Sequence, residues 1–208
     1  MDKLIKVLIV DDHKISRDPL EQEFCPEKGF EVIGSLVHAE DAEEYCAMKR
    51  PDVIIMDVCT GAGMSGLEAA ENILERFPDI KIIMTSGFDE VTYLPRSKKI
   101  GAHAFVYKIK GVDYYREVAN RVLGGETVFP ERKTIPLPQG EAPFSDREME
   151  VLRLMCKYMD AKTVADELFI EKKSVERHLD NMRQKAGFAR YAELIVYVLS
   201  NGWINPNC

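Results

Sequence analysis

The 208-residue chain predicts an α/β fold, a doubly wound five-stranded parallel sheet, followed by a small all-α domain. Three observations carry this. Five short apolar runs alternate with longer amphipathic stretches as far as residue 124, the pattern of β-α repeats around a parallel sheet. Gly124 and Gly125 then break the pattern, and Pro130, Pro136, Pro138 and Pro143 follow closely. Beyond them only helical periodicity recurs.

The apolar runs at 4–10, 30–37, 53–56, 80–84 and 103–107 are rich in Val and Ile and are bounded by polar or turn residues, as strands are. Helices are expected at 14–24, 39–48, 66–76, 89–99 and 112–123. Proline removes a backbone donor and restricts the residue before it, so 125–143 reads as a linker. The domain expectation is therefore 1–124, a linker at 125–143, and 144–208. In the last part, Ser145 with Glu148 forms a capping-box signature, and Met149, Leu152 and Met155 share one helical face. Further helices are expected at 161–168, 171–186 and 190–201, and short helices joined by tight turns suggest a helix-turn-helix.

Apolar content of 46% and charged content of 30% fit a globular protein with a sizeable core. The net charge of −7 by itself argues against a nucleic-acid partner, but it is unevenly spread. Residues 1–124 carry 16 basic and 22 acidic side chains, whereas 142–208 carry 10 of each. The five cysteines have no CxxC pattern or metal spacing and read as reduced thiols. Strand pattern begins by Leu4, without the basic region and apolar core of a leader, and no apolar run approaches membrane-spanning length. These features point to a cytoplasmic chain with no membrane partner.

Ligands of a doubly wound sheet bind outside the carboxyl ends of its strands. Those ends carry Asp11 and Asp12, Asp57, Thr85 and Ser86, and Lys108. Clustered carboxylates repel one another, and a hard divalent cation relieves the repulsion. With one carboxylate as nucleophile, and a hydroxyl and an ammonium to hold phosphoryl oxygens, the set points to Mg2+ and phosphoryl chemistry. The Gly61-Ala62-Gly63 run lacks a following Lys-Ser/Thr, so nucleotide binding is not indicated.

The segments VLIVDDH, DVIIMDV, KIIMTSG and GAHAFVYK resemble the four signature segments of a response-regulator receiver domain, a flavodoxin-like fold. The resemblance covers 1–124. It implies that Asp57 is the phosphoacceptor for a sensor histidine kinase, and that Asp11, Asp12, Asp57 and the backbone carbonyl of Cys59 hold Mg2+. It also makes Lys108 the phosphate-pairing lysine and Phe105 the switch aromatic. Counting back from Lys108 favours Ser86 as the switch hydroxyl, with Thr85 beside it as the alternative. Two departures stand out: the loop from Cys59 to Gly66 lacks the usual proline and is one residue longer, and Ile109 follows Lys108 where many relatives have proline.

Residues 144–201 resemble a NarL/LuxR-type helix-turn-helix DNA-binding domain, through Arg147-Glu148, Lys162, Ala165, Leu168, Val175, His178, Arg190 and Glu193-Leu194. The recognition helix would be 172–186, with its N-terminal half in the major groove. Lys162, Lys172, Lys173, Ser174, Arg177, His178 and Arg190 are the expected DNA contacts. From Glu171 to Arg190 six basic residues face three acidic ones. Glu176 and Asp180 lie one turn apart where relatives commonly carry lysines. A carboxylate is repelled by phosphates yet accepts from cytosine N4, so binding that is weak, cytosine-selective or lost are the open consequences.

The segment 191–199 is apolar almost all round, more than one packed face requires. In the resembled family this helix forms a two-fold dimer, which implies homodimerisation through Tyr191, Leu194, Ile195 and Val198 and binding to an inverted repeat. The leading expectation is a phosphorylation-controlled, non-enzymatic transcription regulator. A protein-interaction regulator that has given up DNA is the alternative. An Mg2+-dependent phosphohydrolase ranks third, since Cys59 stands where such enzymes commonly need an acid.

Overall fold

Runs such as VLIV and VIIM are apolar at every position because both faces of a parallel sheet are covered by helices. In the computed structural model, which describes residues 3–61, 63–88, 90–131, 134–138 and 144–206, these runs are buried throughout. The strands are β1 (Ile5–Val10), β2 (Phe30–Leu36), β3 (Val53–Asp57), β4 (Lys81–Ser86) and β5 (Ala104–Tyr107). They alternate with α1 (Lys14–Glu23), α2 (Ala42–Lys49), α3 (Gly66–Arg76), α4 (Tyr93–Lys99) and α5 (Val112–Leu123). Sheet order is β2-β1-β3-β4-β5, with every ladder parallel. The chain order reverses between β1 and β3, and a crevice opens at such a point. Asp11 and Asp57 end or follow these two strands.

Local chemistry sets the helix boundaries. Ser65 accepts from the Glu68 N–H while Glu68 accepts from the Ser65 N–H, so α3 starts on a capping box. Its first residue must be glycine: a Cβ on Gly66 would lie 1.8 Å from the Asp57 carbonyl oxygen. The helix can thus press against the backbone of the residue that ends β3.

The fourth helix begins four residues later than the expected 89–99. A start at 89 would bury Pro95 in the helix interior, where its missing N–H and its ring break the i to i−4 ladder. Starting at Tyr93 places Pro95 in the first turn, where no intrahelical donor is needed. Before it, the Glu90 carboxylate accepts from the Thr92 N–H and hydroxyl. The expected helix at 39–48 likewise divides into a short 3-10 turn, Ala39–Asp41, and α2. Beyond α5, Val128 forms an isolated parallel bridge with Ala104 and covers part of the open edge of β5.

The chain divides into two compact units, Met1–Phe88 with Tyr93–Glu131, and Asp89–Thr92 with Arg132–Cys208. The second contains α6 (Asp146–Tyr158), α7 (Ala161–Glu167), α8 (Lys172–Ala186) and α9 (Tyr191–Ser200). Its core joins Val151, Leu152 and Met155 of α6 to Val164 of α7, Val175, Leu179 and Met182 of α8, and Leu194, Ile195 and Val198 of α9. The Ser145–Glu148 capping box is formed at α6 as its sequence signature predicts, and Asp160 caps α7 through the Thr163 N–H. Among the described residues no helix is long and apolar enough to cross a membrane.

Cys25, Cys46 and Cys156 are free thiols. Cys59 is disulfide-bonded, which corrects the expectation of reduced thiols throughout. Sequence spacing carries no signal for a bridge between cysteines without a local pattern. Cys208 lies outside the described residues.

Candidate functional site

Three strand ends build the first site. The Asp11 N–H donates to the Leu36 carbonyl, the Val58 N–H to the Thr85 carbonyl, and the Lys108 N–H to the Ser86 carbonyl, so backbone bonds fix the chain where Asp11 and Lys108 follow their strands and Asp57 ends its own. Lys108 Nζ lies 2.6 Å from Asp11 Oδ2 and 2.7 Å from Asp57 Oδ2. Asp11 and Asp57 are buried, and Asp12 is partly so. Asp11 Oδ1 accepts from the His13 N–H at 2.9 Å, and the Arg17 guanidinium donates to the Asp11 carbonyl at 2.6 Å.

Burial pushes the Asp57 carboxyl up to about 6, against the pull of the Lys108 ammonium, and the Asp11 charge adds to the rise. Burial pulls Lys108 down, but Asp57 and Asp11 together hold it above the ordinary lysine range. One ammonium therefore balances two buried carboxylates, leaving the set short of positive charge. Ligand atoms of Asp11, Asp12, His13 and Asp57 lie within 4.8 Å of one another. Asp11 Oδ2 and Asp12 Oδ1 are buried, the first against Lys108 Nζ and the second against His13 Nδ1, each at 2.6 Å. Oxygen donors so arranged fit a hard divalent cation.

The two neighbouring hydroxyls point different ways. Ser86 Oγ accepts from the Phe88 N–H at 3.0 Å and donates to its carbonyl at 3.1 Å. Thr85 Oγ1 pairs with the Tyr115 hydroxyl at 2.6 Å, inside the unit, and burial pushes the Tyr115 hydroxyl up to about 12. Phe105 is buried and packs edge-on against Tyr107. The structure thus brings Asp11, Asp12, Asp57 and Lys108 together, while Ser86 and Thr85 are engaged elsewhere.

His13, Arg17 and Tyr115 were missed as site neighbours by sequence reasoning. His13 Nδ1 is 2.6 Å from Asp12 Oδ1, and its adjacency to the acidic pair was the available signal. For Arg17 and Tyr115, which arrive from α1 and α5, the sequence offered none. Ile109 is 92% exposed, and no cis peptide bond occurs among the described residues.

The second candidate surface lies on α8. Val175, Leu179, Met182 and Ala186 face the core at helical spacing, leaving Lys173, Glu176, Arg177, Asp180 and Gln184 exposed. Lys162, Lys172 and Arg190 are also exposed, and Ser174 and His178 are half-buried. Much of the basic stripe is internally paired. Lys172 approaches Glu176 at 3.5 Å, Arg183 holds Asp180 at 2.7 Å, Arg190 holds Glu193 at 3.1 Å, and Lys185 donates to buried Glu148 at 2.8 Å. Burial raises the Glu148 carboxyl, but Lys185 and Ser145 together hold it below the ordinary range.

On α9, Leu194, Ile195 and Val198, expected as part of a partner face, are consumed by their own domain's core. The large apolar side chains left exposed on α9 are Tyr191, 46% exposed, and Val196, 63% exposed. The near-continuous apolar run hid which face was which.

An acidic, lysine-bridged cluster at the switch point of a 2-1-3-4-5 sheet, joined in one chain to a helix-turn-helix unit, defines a receiver coupled to an output module. Residues 7–117 match the response regulator receiver domain family, and residues 142–198 match the luxR family of bacterial regulatory proteins. The chain belongs to the LuxR-family response regulators. It is 30% identical over 211 residues to the oxygen regulatory protein NreC of Staphylococcus epidermidis, covering 94% of this chain and 97% of that one. It is 27% identical over 225 residues to the transcriptional regulatory protein DegU of Brevibacillus brevis, covering 96% and 95%. The RcsB response regulator of Salmonella typhimurium shares the fold with a TM-score of 0.63 at 19% identity, covering 96% of this chain and 100% of that one.

Proposed function

We propose that the chain is a cytoplasmic transcription regulator, phosphorylated on Asp57 by a sensor histidine kinase and acting on duplex DNA. The observation that carries this is Lys108 shared between Asp11 and Asp57 in a cluster with Asp12 whose ligand atoms lie within 4.8 Å of one another. Asp11, Asp12, Asp57 and the Cys59 carbonyl would hold Mg2+, which when bound offsets the repulsion between the carboxylates and an incoming phosphoryl group. An Asp57 oxygen forms the new P–O bond as the donor's P–N bond breaks and the leaving imidazole takes a proton. Lys108 exchanges one carboxylate contact for a phosphoryl oxygen. Ser86 leaves its bonds to Phe88 to meet another, and Phe105 repacks with it. Thr85, held by Tyr115, is the less available hydroxyl, which supports Ser86 in that role.

Lys162, Lys172, Lys173, Ser174, Arg177, His178 and Arg190 then contact DNA, most of them phosphates. A two-fold dimer on an inverted repeat would use the exposed Tyr191 and Val196, with Leu194, Ile195 and Val198 holding α9 from behind. Internal pairing of four basic side chains supports the alternative of a protein-interaction regulator, because paired cations attract phosphates less. A phosphodonor carrying labelled phosphorus tests the primary step. Wild type takes up label only with Mg2+ and releases it in alkali, as an acyl phosphate does, while Asp57→Asn takes up none. Equal labelling of Asp57→Asn would overturn the assignment.

A further inference from the structure

Two carboxylates sit on the exposed side of α8 one turn apart, and their surroundings are unlike. Glu176 is 55% exposed, and its one ion-pair contact among the described residues is Lys172 at 3.5 Å, itself 59% exposed. That pair is loose and in water, where such contacts are worth less than about 1 kcal/mol. Asp180 is held at both oxygens. Arg183 Nε donates to Oδ1 at 2.8 Å, with the guanidinium NH2 2.7 Å from the same atom, and Gln184 Nε2 donates to Oδ2 at 2.6 Å. The same Arg183 also donates to the Phe188 and Ala189 carbonyls at 3.2 and 3.3 Å. Asp180 therefore orients an arginine that clasps the turn between α8 and α9.

Resting on the DNA-binding reading above, we propose that Glu176 is a specificity-determining residue that accepts a hydrogen bond from cytosine N4 in the major groove, and that Asp180 is a structural brace which reads no base. The N-terminal half of a recognition helix faces base edges, and Glu176 lies in that half with Lys172, Lys173 and Arg177 around it. These three cations offset its charge near the phosphates. Lys172 can turn from Glu176 to a phosphate at little cost, which frees both carboxylate oxygens. Among base edges in the major groove, cytosine offers an amino donor without a neighbouring acceptor, so it suits an acceptor-only side chain.

The full-length protein, supplied with a small phosphodonor and Mg2+, is used to select duplexes from a randomised pool, beside Glu176→Gln and Asp180→Asn. Wild type and Asp180→Asn are expected to retain cytosine at the same position of each half-site. Glu176→Gln loses that preference or exchanges it for adenine, which glutamine can pair bidentately, with discrimination changed about tenfold. A Glu176→Gln pool that keeps the cytosine overturns the inference, as does an Asp180→Asn pool that loses it. Failure of the DNA-binding reading itself looks different: no pool, wild type included, converges on a shared sequence.

Discussion

The acidic crevice and α8 both carry opposite charges at close range, but one takes them out of water and the other leaves them in it. Asp57 has a side-chain exposure of 5% and Lys108 of 20%, whereas Lys172 and Glu176 are both more than half exposed. In the crevice, desolvation amplifies each interaction, so a single substitution is felt strongly and the carboxyl at Asp57 is displaced to about 6. On α8 solvent screens the pairs, so each contributes little to folding and remains available to a partner. On the function proposed above, chemistry that must act on one atom belongs in the preorganised crevice, and recognition that sums over many weak contacts belongs on the screened helix.

Substitutions that break this contrast should rank accordingly. Asp57→Asn has the largest expected effect, complete loss of alkali-labile phosphoryl label. Next, Lys108→Ala leaves two buried carboxylates uncompensated and is expected to cost about 3 kcal/mol near neutral pH, measured by urea denaturation. Asp57 already has a raised folded pKa, and removing the Lys108 ammonium that pulls it down raises it further, so the variant's native state gains more from protonation than the wild type's. Stability of Lys108→Ala relative to wild type should therefore improve as pH falls from 8 toward and past about 6. An unchanged difference between pH 8 and pH 5 would show that the carboxylates are not the source of the loss.

Gly66→Ala drives a methyl into the Asp57 carbonyl and is expected to cost about 2 kcal/mol, with slower phosphoryl uptake because β3 must shift. In the helical unit, Glu148→Gln removes the Lys185 pair and weakens the cap of α6, for about 1 kcal/mol. Glu148 has a lowered folded pKa, so its contribution is present above the unfolded value of 4.5 and is lost as pH falls through the folded one. Melting curves of wild type and Glu148→Gln should accordingly converge in acid. The smallest folding effect belongs to Arg177→Ala, within about 0.5 kcal/mol, although it should reduce the salt slope of DNA binding by about one.

The contrast also explains what was legible in the sequence. Continuous apolar runs announce buried parallel strands, and the acids at their ends then fall together at the switch point without further information. Ser145 with Glu148 announced the start of α6 for the same local reason. Contacts between distant elements left no trace: nothing near Tyr115 signals Thr85, and nothing near Cys59 signals a bridge. Pro95 did carry the true start of α4, but the surrounding helical periodicity outweighed it. In α9 the apolar run exceeded one helical face, so the packed side and the exposed side could be separated only by the core that Leu194, Ile195 and Val198 enter. From Glu171 to Arg190 the sequence showed three acids among six bases; it took side-chain geometry to distinguish the loosely held Glu176 from the clasped Asp180.

The central claim is that chemistry in the buried crevice governs binding on the screened helix. The most direct test measures the affinity of the full-length protein for its selected duplex with and without a small phosphodonor and Mg2+, at one stated salt concentration, for wild type and Asp57→Asn. The account predicts tighter binding by wild type when donor is present and no donor response from Asp57→Asn. An equal donor response in both proteins, or a phosphorylated wild type whose affinity does not change, would contradict it.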